Sequence, residues 1–192
     1  IFMQDQSRTV ANFSLQDEWA FAANWTLTAG VRFDHYSDFG DTVNPRFALV
    51  WQTAKLLTSK LMYGRAFRAP TFGELYTKNN PSTLGNANLE PETIDTVELA
   101  FDFRPFDRLQ TSVNLFHYQI KDLIDYRQDS GASTISAANA RDQDGNGFEV
   151  EVNWQAQDAL LVKANVACQR SKDSDTDAIA PDAPELQFYL NP

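Results

Sequence analysis

The feature that most constrains this chain is a strict alternation of apolar and polar side chains that recurs along its length. Over residues 96–103, Val97, Leu99, Phe101 and Phe103 alternate with Thr96, Glu98, Ala100 and Asp102. A strand sends successive side chains to opposite faces, so this spacing predicts a strand with one apolar and one polar face. Residues 147–154 set Phe148, Val150, Val152 and Trp154 against Gly147, Glu149, Glu151 and Asn153. Residues 160–169 set Leu160, Val162, Ala164, Val166 and Cys168 against Leu161, Lys163, Asn165, Ala167 and Gln169. The same rhythm runs through Trp25, Leu27, Ala29, Val31 and Phe33, through Phe47, Leu49 and Trp51, and more loosely through Ala11, Phe13, Leu15, Trp19 and Phe21. No segment reads as a long helix.

Composition bounds what such strands can build. With 192 residues, 43% of them hydrophobic, the chain can bury one domain's apolar surface. A formal charge of -10 sets nucleic acid aside, since phosphates select clustered Lys and Arg, and the acidic run Asp173, Asp175, Asp177 reads as a solvated loop. Cys168 is the one cysteine, and with only His35 and His117 it cannot complete a zinc cage. No apolar run of about 18 residues occurs, which excludes a membrane-spanning helix. The mean hydropathy of -0.42 would ordinarily suggest a soluble chain. A transmembrane strand, however, needs only every second residue to be apolar, so a barrel wall averages out as polar. Residues 1–8 carry no basic or apolar leader pattern, so a leader was either cleaved or lies upstream in a longer chain.

The links between strands alternate in length. Short turns are expected at residues 23–24, 53–55, 105–108 and 155–158, and longer polar links at 37–42, 68–92, 127–144 and 171–185. Outer-membrane barrels have this asymmetry, with short periplasmic turns and long extracellular loops. Trp19, Phe21, Trp25, Trp51, Phe103, Phe106 and Trp154 sit beside the short turns, where an interfacial girdle places its rings. A soluble sandwich would use the same alternation and is the competing architecture.

Several longer stretches carry a resemblance. From Tyr63 the sequence reads YGRAFRAPTFGELY, followed by GNANLEPET from Gly85 and then DTVELAFDF. GVRFDHYSDFG, NPRFALVW, FHYQIKDLIDY and NGFEVEVNW occur in matching order around them. Together these segments, which cover nearly the whole chain, resemble the barrel of TonB-dependent outer-membrane receptors. The resemblance implies an all-β fold, an antiparallel up-and-down meander forming part of the wall of a transmembrane barrel of about 22 strands. It implies that residues 1–192 are one partial barrel domain, with about nine strands, and that the plug and the final strands lie outside it. It also implies a plug that shares the ligand site with the loops and couples to TonB through a box absent from this chain. The implied activity is uptake of a scarce metal chelate across the outer membrane.

Within the resembling motifs, Arg68, Pro70, Glu74, Asn86, Asn88 and Glu92 read as a joint between wall and loop. Pro70 removes a ladder donor, and Asn86 and Asn88 tolerate turn dihedrals. Tyr76, Lys78, Asn79, Asn80, Tyr126 and Arg127 are the loop-side candidates for contact with an anionic ferric chelate. Haem-importing members of the family place an iron-binding histidine between the two boxes. Residues 71–85 hold none, and the second box reads NANL, so a siderophore ranks first as cargo, a corrinoid second and haem last.

Asp142, Asp144, Asn146 and Gly147 open like a calcium-binding loop, but its twelfth position is Asn153 in place of a bidentate Glu, so they read as a polar loop tip. His35, beside Asp34 and Asp38, and His117 read as strand-end polar residues. No resident metal or cofactor and no enzymatic constellation is expected. Two other classes compete with transport: a small complete barrel of about eight strands acting as anchor or adhesin, and a soluble binding module. Against the small barrel stands the end at Asn191-Pro192, where an aromatic residue would be usual.

Three structural expectations follow. Glu98, Asp102, Glu149 and Glu151 should face the lumen, and Val97, Leu99, Val150 and Val152 the lipid. Residues 96–103 should pair antiparallel with the strand from Leu109. Taken alone the chain cannot close the barrel it resembles, so its open edges should be covered, either by curling into a smaller sheet-packed form or by edge-to-edge pairing with another copy, with disorder or crystal contacts over 68–92 and 171–185.

Overall fold

The computed structural model describes residues 2–174, 176–180 and 184–191. Ile1, Asp175 and Pro192, which enter the readings above, lie outside them, as do residues 181–183 of the fourth long link.

Among the described residues nine strands form one antiparallel meander in chain order: β1 (Val10–Ala22), β2 (Trp25–Tyr36), β3 (Gly40–Ala54), β4 (Leu57–Arg68), β6 (Glu92–Phe106), β7 (Leu109–Gln128), β8 (Ile135–Gln157), β9 (Leu160–Asp173) and β10 (Leu186–Asn191). Between β4 and β6 lie a short helix α1 (Phe72–Tyr76) and a two-residue strand β5 (Thr83–Leu84) that pairs parallel with β8. The sheet is open, with β1 and β10 at its edges. The pairing expected for residues 96–103 is present: Thr96 faces Tyr118 and Phe103 faces Thr111 on the strand from Leu109.

Register carries each face across the whole sheet. Leu61, Leu99, Leu115, Phe148 and Cys168 lie in one cross-strand row. Leu61, Leu99, Leu115 and Phe148 remain exposed, as do Phe13, Leu15 and Val97 on the same face. Glu98, Asp102, Glu149 and Glu151 occupy the opposite face. There the polar side chains bond one another across strands: Asn114 donates to Glu98 (2.8 Å), Ser112 to Asp102 (2.8 Å), and Lys60 pairs with Asp102 (2.6 Å). At the short-turn end Trp25 stacks on Trp51 with centroids 4.9 Å apart, and Trp19, Phe21, Phe103, Phe106 and Trp154 project from the apolar face.

The structure shortens three of the expected long links; the one after β9 begins only at residue 174, because Ser171 to Asp173 belong to that strand and pair with β8. The turn after β2 needs only residues 37–39, because β3 begins at Gly40. The link after β7 shrinks to residues 129–134, so Tyr126 and Arg127 lie on β7, not in a loop. Asp142, Asp144, Asn146 and Gly147 lie within β8 and not at a loop tip. A backbone ladder forms whatever the polarity of its side chains, so strands run past the apolar band as a polar rim that composition alone reads as loop.

Gly147 has a packing reason for its identity. A Cβ there would lie 2.4 Å from the Cys168 carbonyl oxygen and 2.6 Å from the Phe116 ring. Gly147→Ala is therefore expected to destabilise the wall by about 1–3 kcal/mol, read as a lower denaturation midpoint of the full-length protein. An unchanged midpoint would refute this packing account.

The β3–β4 ladder stops at the Arg46–Gly64 pair, although β2–β3 continues to Gly40 and β4–β6 to Arg68. Pro45, the next residue of β3, has no N–H with which to extend it. A gap opens there, with a cavity of about 280 Å³ lined by Arg32, Asn44, Arg46 and Arg65 among others. Arg8 bridges the top of the gap. Its guanidinium pairs with Asp38 (2.7 Å), donates to the Pro70 carbonyl (2.7 Å) and lies 5.0–5.5 Å from the rings of Tyr36, Phe39 and Phe72.

Candidate functional site

The segment expected to be disordered between β4 and β6 is an ordered strap, and it holds the compact apolar cluster of the described residues. Thr71 caps α1 through a capping box: its Oγ1 accepts from the Glu74 N–H (3.2 Å) while Glu74 Oε2 accepts from the Thr71 N–H (2.8 Å). The chain then doubles back over the helix. Gly85 donates to the Thr77 carbonyl and Asn86 to that of Glu74, each at 2.8 Å. A Cβ on Gly85 would sit 2.7–2.8 Å from helix backbone atoms, so only glycine allows this approach. Leu75 and Leu89 then bury against Ala137 of β8, with Tyr76 and Ile124 packed at the margin.

Side-chain clamps fix the strap to the wall. Arg68 donates twice to Glu92 (2.6 Å each) and twice to Glu74 (3.1 and 3.2 Å). Asp122 of β7 takes φ 59, a left-handed conformation that Asp tolerates, and the ladder shifts register there. The irregularity is satisfied from three sides. The Asp122 N–H donates to Asp142 (3.0 Å), the Asp122 carbonyl accepts from Asn139 (2.7 Å), and the Ile124 N–H donates to Glu92 (2.8 Å). Asn139 also exchanges two bonds of 2.9 Å with the Glu90 backbone. Glu92 thus joins Arg68 to the irregularity, and Asn139 joins the irregularity to the strap.

The six motif residues all enter these contacts. Pro70 is buried with its carbonyl on Arg8, Asn86 Oδ1 accepts from the Asn88 N–H (2.9 Å), and Arg68, Glu74 and Glu92 form the charged cluster. Partial burial pushes the Glu74 carboxyl up, but bonds from Arg68 and the Thr71 N–H outweigh it and hold the group below its ordinary value of 4.5. The bond to Glu92 holds the Arg68 guanidinium above its ordinary range despite burial. A carboxyl depressed by folding contributes stability that is fully present above its unfolded value and lost as pH falls through the folded one. Amide exchange over residues 72–90, corrected for intrinsic rates, is therefore expected to stay slow at neutral pH and to accelerate below about 4.5. A flat profile down to pH 3 would remove Glu74 as the cause.

The loop-side candidates fall into separate places. Tyr76, Lys78 and Asn79 line a cavity of about 330 Å³ together with Phe2, Met3, Gln4 and Gln6. The Lys78 N–H donates to the Phe2 carbonyl (2.8 Å), and Asn79 has φ 55. Asn80 is spent on a turn, its Oδ1 accepting from Ser82 N–H, Ser82 Oγ and Thr83 N–H at 3.0–3.2 Å. Tyr126 faces Ala137 across the β7–β8 ladder, and Arg127 donates to the Ala140 carbonyl. Sequence reasoning missed Asn139, Asp122, Arg8 and the capping role of Asp142. An Asp within an otherwise apolar strand pattern was the available signal for the irregularity; Arg8 gave none.

An open antiparallel meander with one continuous apolar face, an aromatic row at its short turns and a cross-linked polar face is a sector of an outer-membrane β-barrel. The family model for the TonB dependent receptor-like β-barrel matches residues 2–191, and the chain belongs to that family and to the outer membrane. The vitamin B12 transporter BtuB of Vibrio cholerae is 37% identical over 122 residues, covering 64% of this chain and 19% of that protein. The hemin receptor of Yersinia pestis is 30% identical over 190 residues, covering 82% of this chain and 28% of that protein. The siderophore receptor PirA from Acinetobacter baumannii superposes with a TM-score of 0.80 at 18% identity, over 94% of this chain and 30% of that one. The chain thus spans less than a third of the length of these relatives, which are named as transporters and receptors.

Proposed function

We propose that this chain is part of the wall and rim of an energised outer-membrane importer whose cargo is a ferric siderophore. The observation that carries the cargo is the make-up of the strap cavity. It offers one cation (Lys78), aromatic surface (Phe2, Tyr76) and amides (Gln4, Gln6, Asn79), with no His, Cys or carboxylate among its lining residues. Such a surface suits an intact anionic chelate, whose metal stays inside its own ligand shell, better than a bare ion or a haem that needs an axial donor. A plug domain outside this chain would complete the site, and TonB would act through that plug. The wall itself performs no chemistry; it holds the strap in place.

The corrinoid reading is favoured by one observation, the 37% identity to the vitamin B12 transporter. Binding of a ferric catecholate, cyanocobalamin and haem to the full-length receptor separates the readings. The ferric chelate is expected to bind, with Lys78→Glu weakening it by about tenfold, Arg127→Glu by less, and Lys163→Glu, beside the short turn at the far end of β9, leaving it unchanged. Capture of cyanocobalamin alone would transfer the assignment to the corrinoid, and equal effects of all three substitutions would remove the strap and the β7 rim from the site.

A further inference from the structure

The outward face carries a second feature, a groove of about 730 Å³ that crosses β6 to β9. Its floor is apolar, formed by Leu99, Leu115 and Phe148, which belong to the row exposed to lipid. Its upper edge is the next row in register, where His117, Asn146 and Arg170 face one another on β7, β8 and β9. All three are exposed, and none has a side-chain partner among the described residues.

The level of this polar row matters. His117 and Asn146 lie eight residues up the strands from the Leu109–Trp154 pair at the short-turn girdle. At a rise of about 3.4 Å per residue and a tilt of about 40°, that places them roughly 20 Å above the girdle. An apolar band about 25 Å tall ends close to that level, so the row meets the lipid headgroups on the long-loop side. No carboxylate lines the groove. In the row above, Asp95 is closed by Arg65 and Tyr63, and Asp144 accepts from Ser174 and faces Lys172 across the ladder.

We propose that this groove binds one phosphorylated lipid of the outer leaflet. An acyl chain lies along Leu99, Leu115 and Phe148, and the phosphate is met by Arg170, with His117 and Asn146 as further donors. Unpartnered donors above an apolar floor complement an anionic headgroup with an attached chain, and a second protein copy would not need a free cation at headgroup depth. The groove is separate from the cargo cavity under the strap, with which it shares no lining residue.

The test uses the full-length receptor purified in mild detergent and analysed by native mass spectrometry for retained lipid. The wild-type protein is expected to keep one phosphorylated lipid. Arg170→Gln should lower its retention by about fivefold, corresponding to loss of one cation at the surface. Leu115→Trp, which fills the floor, should lower it without altering the charge, and Arg108→Gln at the opposite rim should leave it unchanged. Heat-modified migration in gels confirms that each variant is folded. Equal retention in the wild-type and Arg170→Gln proteins, equal retention of lipids lacking phosphate, or a protein dimer seated on the groove would each overturn the proposal.

Discussion

Replacing Arg68 with alanine is expected to open the strap while leaving the wall folded. Glu74 and Glu92 keep only 15% and 13% of their side-chain surface exposed, and Arg68 is the cation that both face. Removing it leaves two largely desolvated carboxylates side by side, at a cost of about 2 kcal/mol, or roughly a thirtyfold rise in the open population. The effect should reach beyond the strap, because Glu92 also accepts the Ile124 N–H at the irregularity of β7. Amide exchange in the full-length receptor should quicken over residues 72–90 and at Ile124, with little change in β2 or β9. Adding Glu74→Gln should recover part of the loss by removing the repulsion. Unaltered exchange in Arg68→Ala would mean that apolar packing of Leu75, Leu89 and Ala137 holds the strap unaided.

A cation at Val150 is expected to cost far more than one at the adjacent Glu149. Val150 lies between Val113 and Val166 in the middle of the apolar face, and Glu149 occupies the polar face between Asn114 and Ala167. Arginine on the lipid face near the midplane costs about 2–4 kcal/mol, whereas a lumen position lets it remain hydrated. Unfolding of the full-length Val150→Arg and Glu149→Arg proteins from lipid vesicles by guanidinium should show that ranking. The reverse ranking would exchange lumen and lipid faces throughout the sheet, because register ties every strand to this pair.

The wall was legible in the sequence because its constraint is local. Alternation at Val97, Leu99, Phe101 and Phe103 follows from a two-residue period, and the hairpin links force neighbours in sequence to be neighbours in the sheet. The rim was less legible. Residues 135–146 extend β8 although they are polar and include Asp142 and Asp144, because the ladder needs only backbone groups. The order of the strap was missed for another reason: it depends on partners far away in sequence, as when Glu90 meets Asn139 and Ala137 covers Leu75. The motif residues Arg68, Glu74 and Glu92 were readable as a joint, but their common centre was not, since no spacing rule links three residues on β4, α1 and β6.

Above Pro45 the two halves of the sheet are held together by side chains: Arg8 against Asp38, Pro70 and three rings, and Tyr36 edge-on to Phe67. A backbone ladder tolerates almost any substitution and so fixes a shape, whereas contacts of this kind change with each residue that makes them. The width of the rim at this seam can therefore drift by single substitutions while the wall beneath keeps its geometry. For a family whose relatives are named for vitamin B12, hemin and siderophores, such a seam separates what must be inherited unchanged from what can be altered one residue at a time.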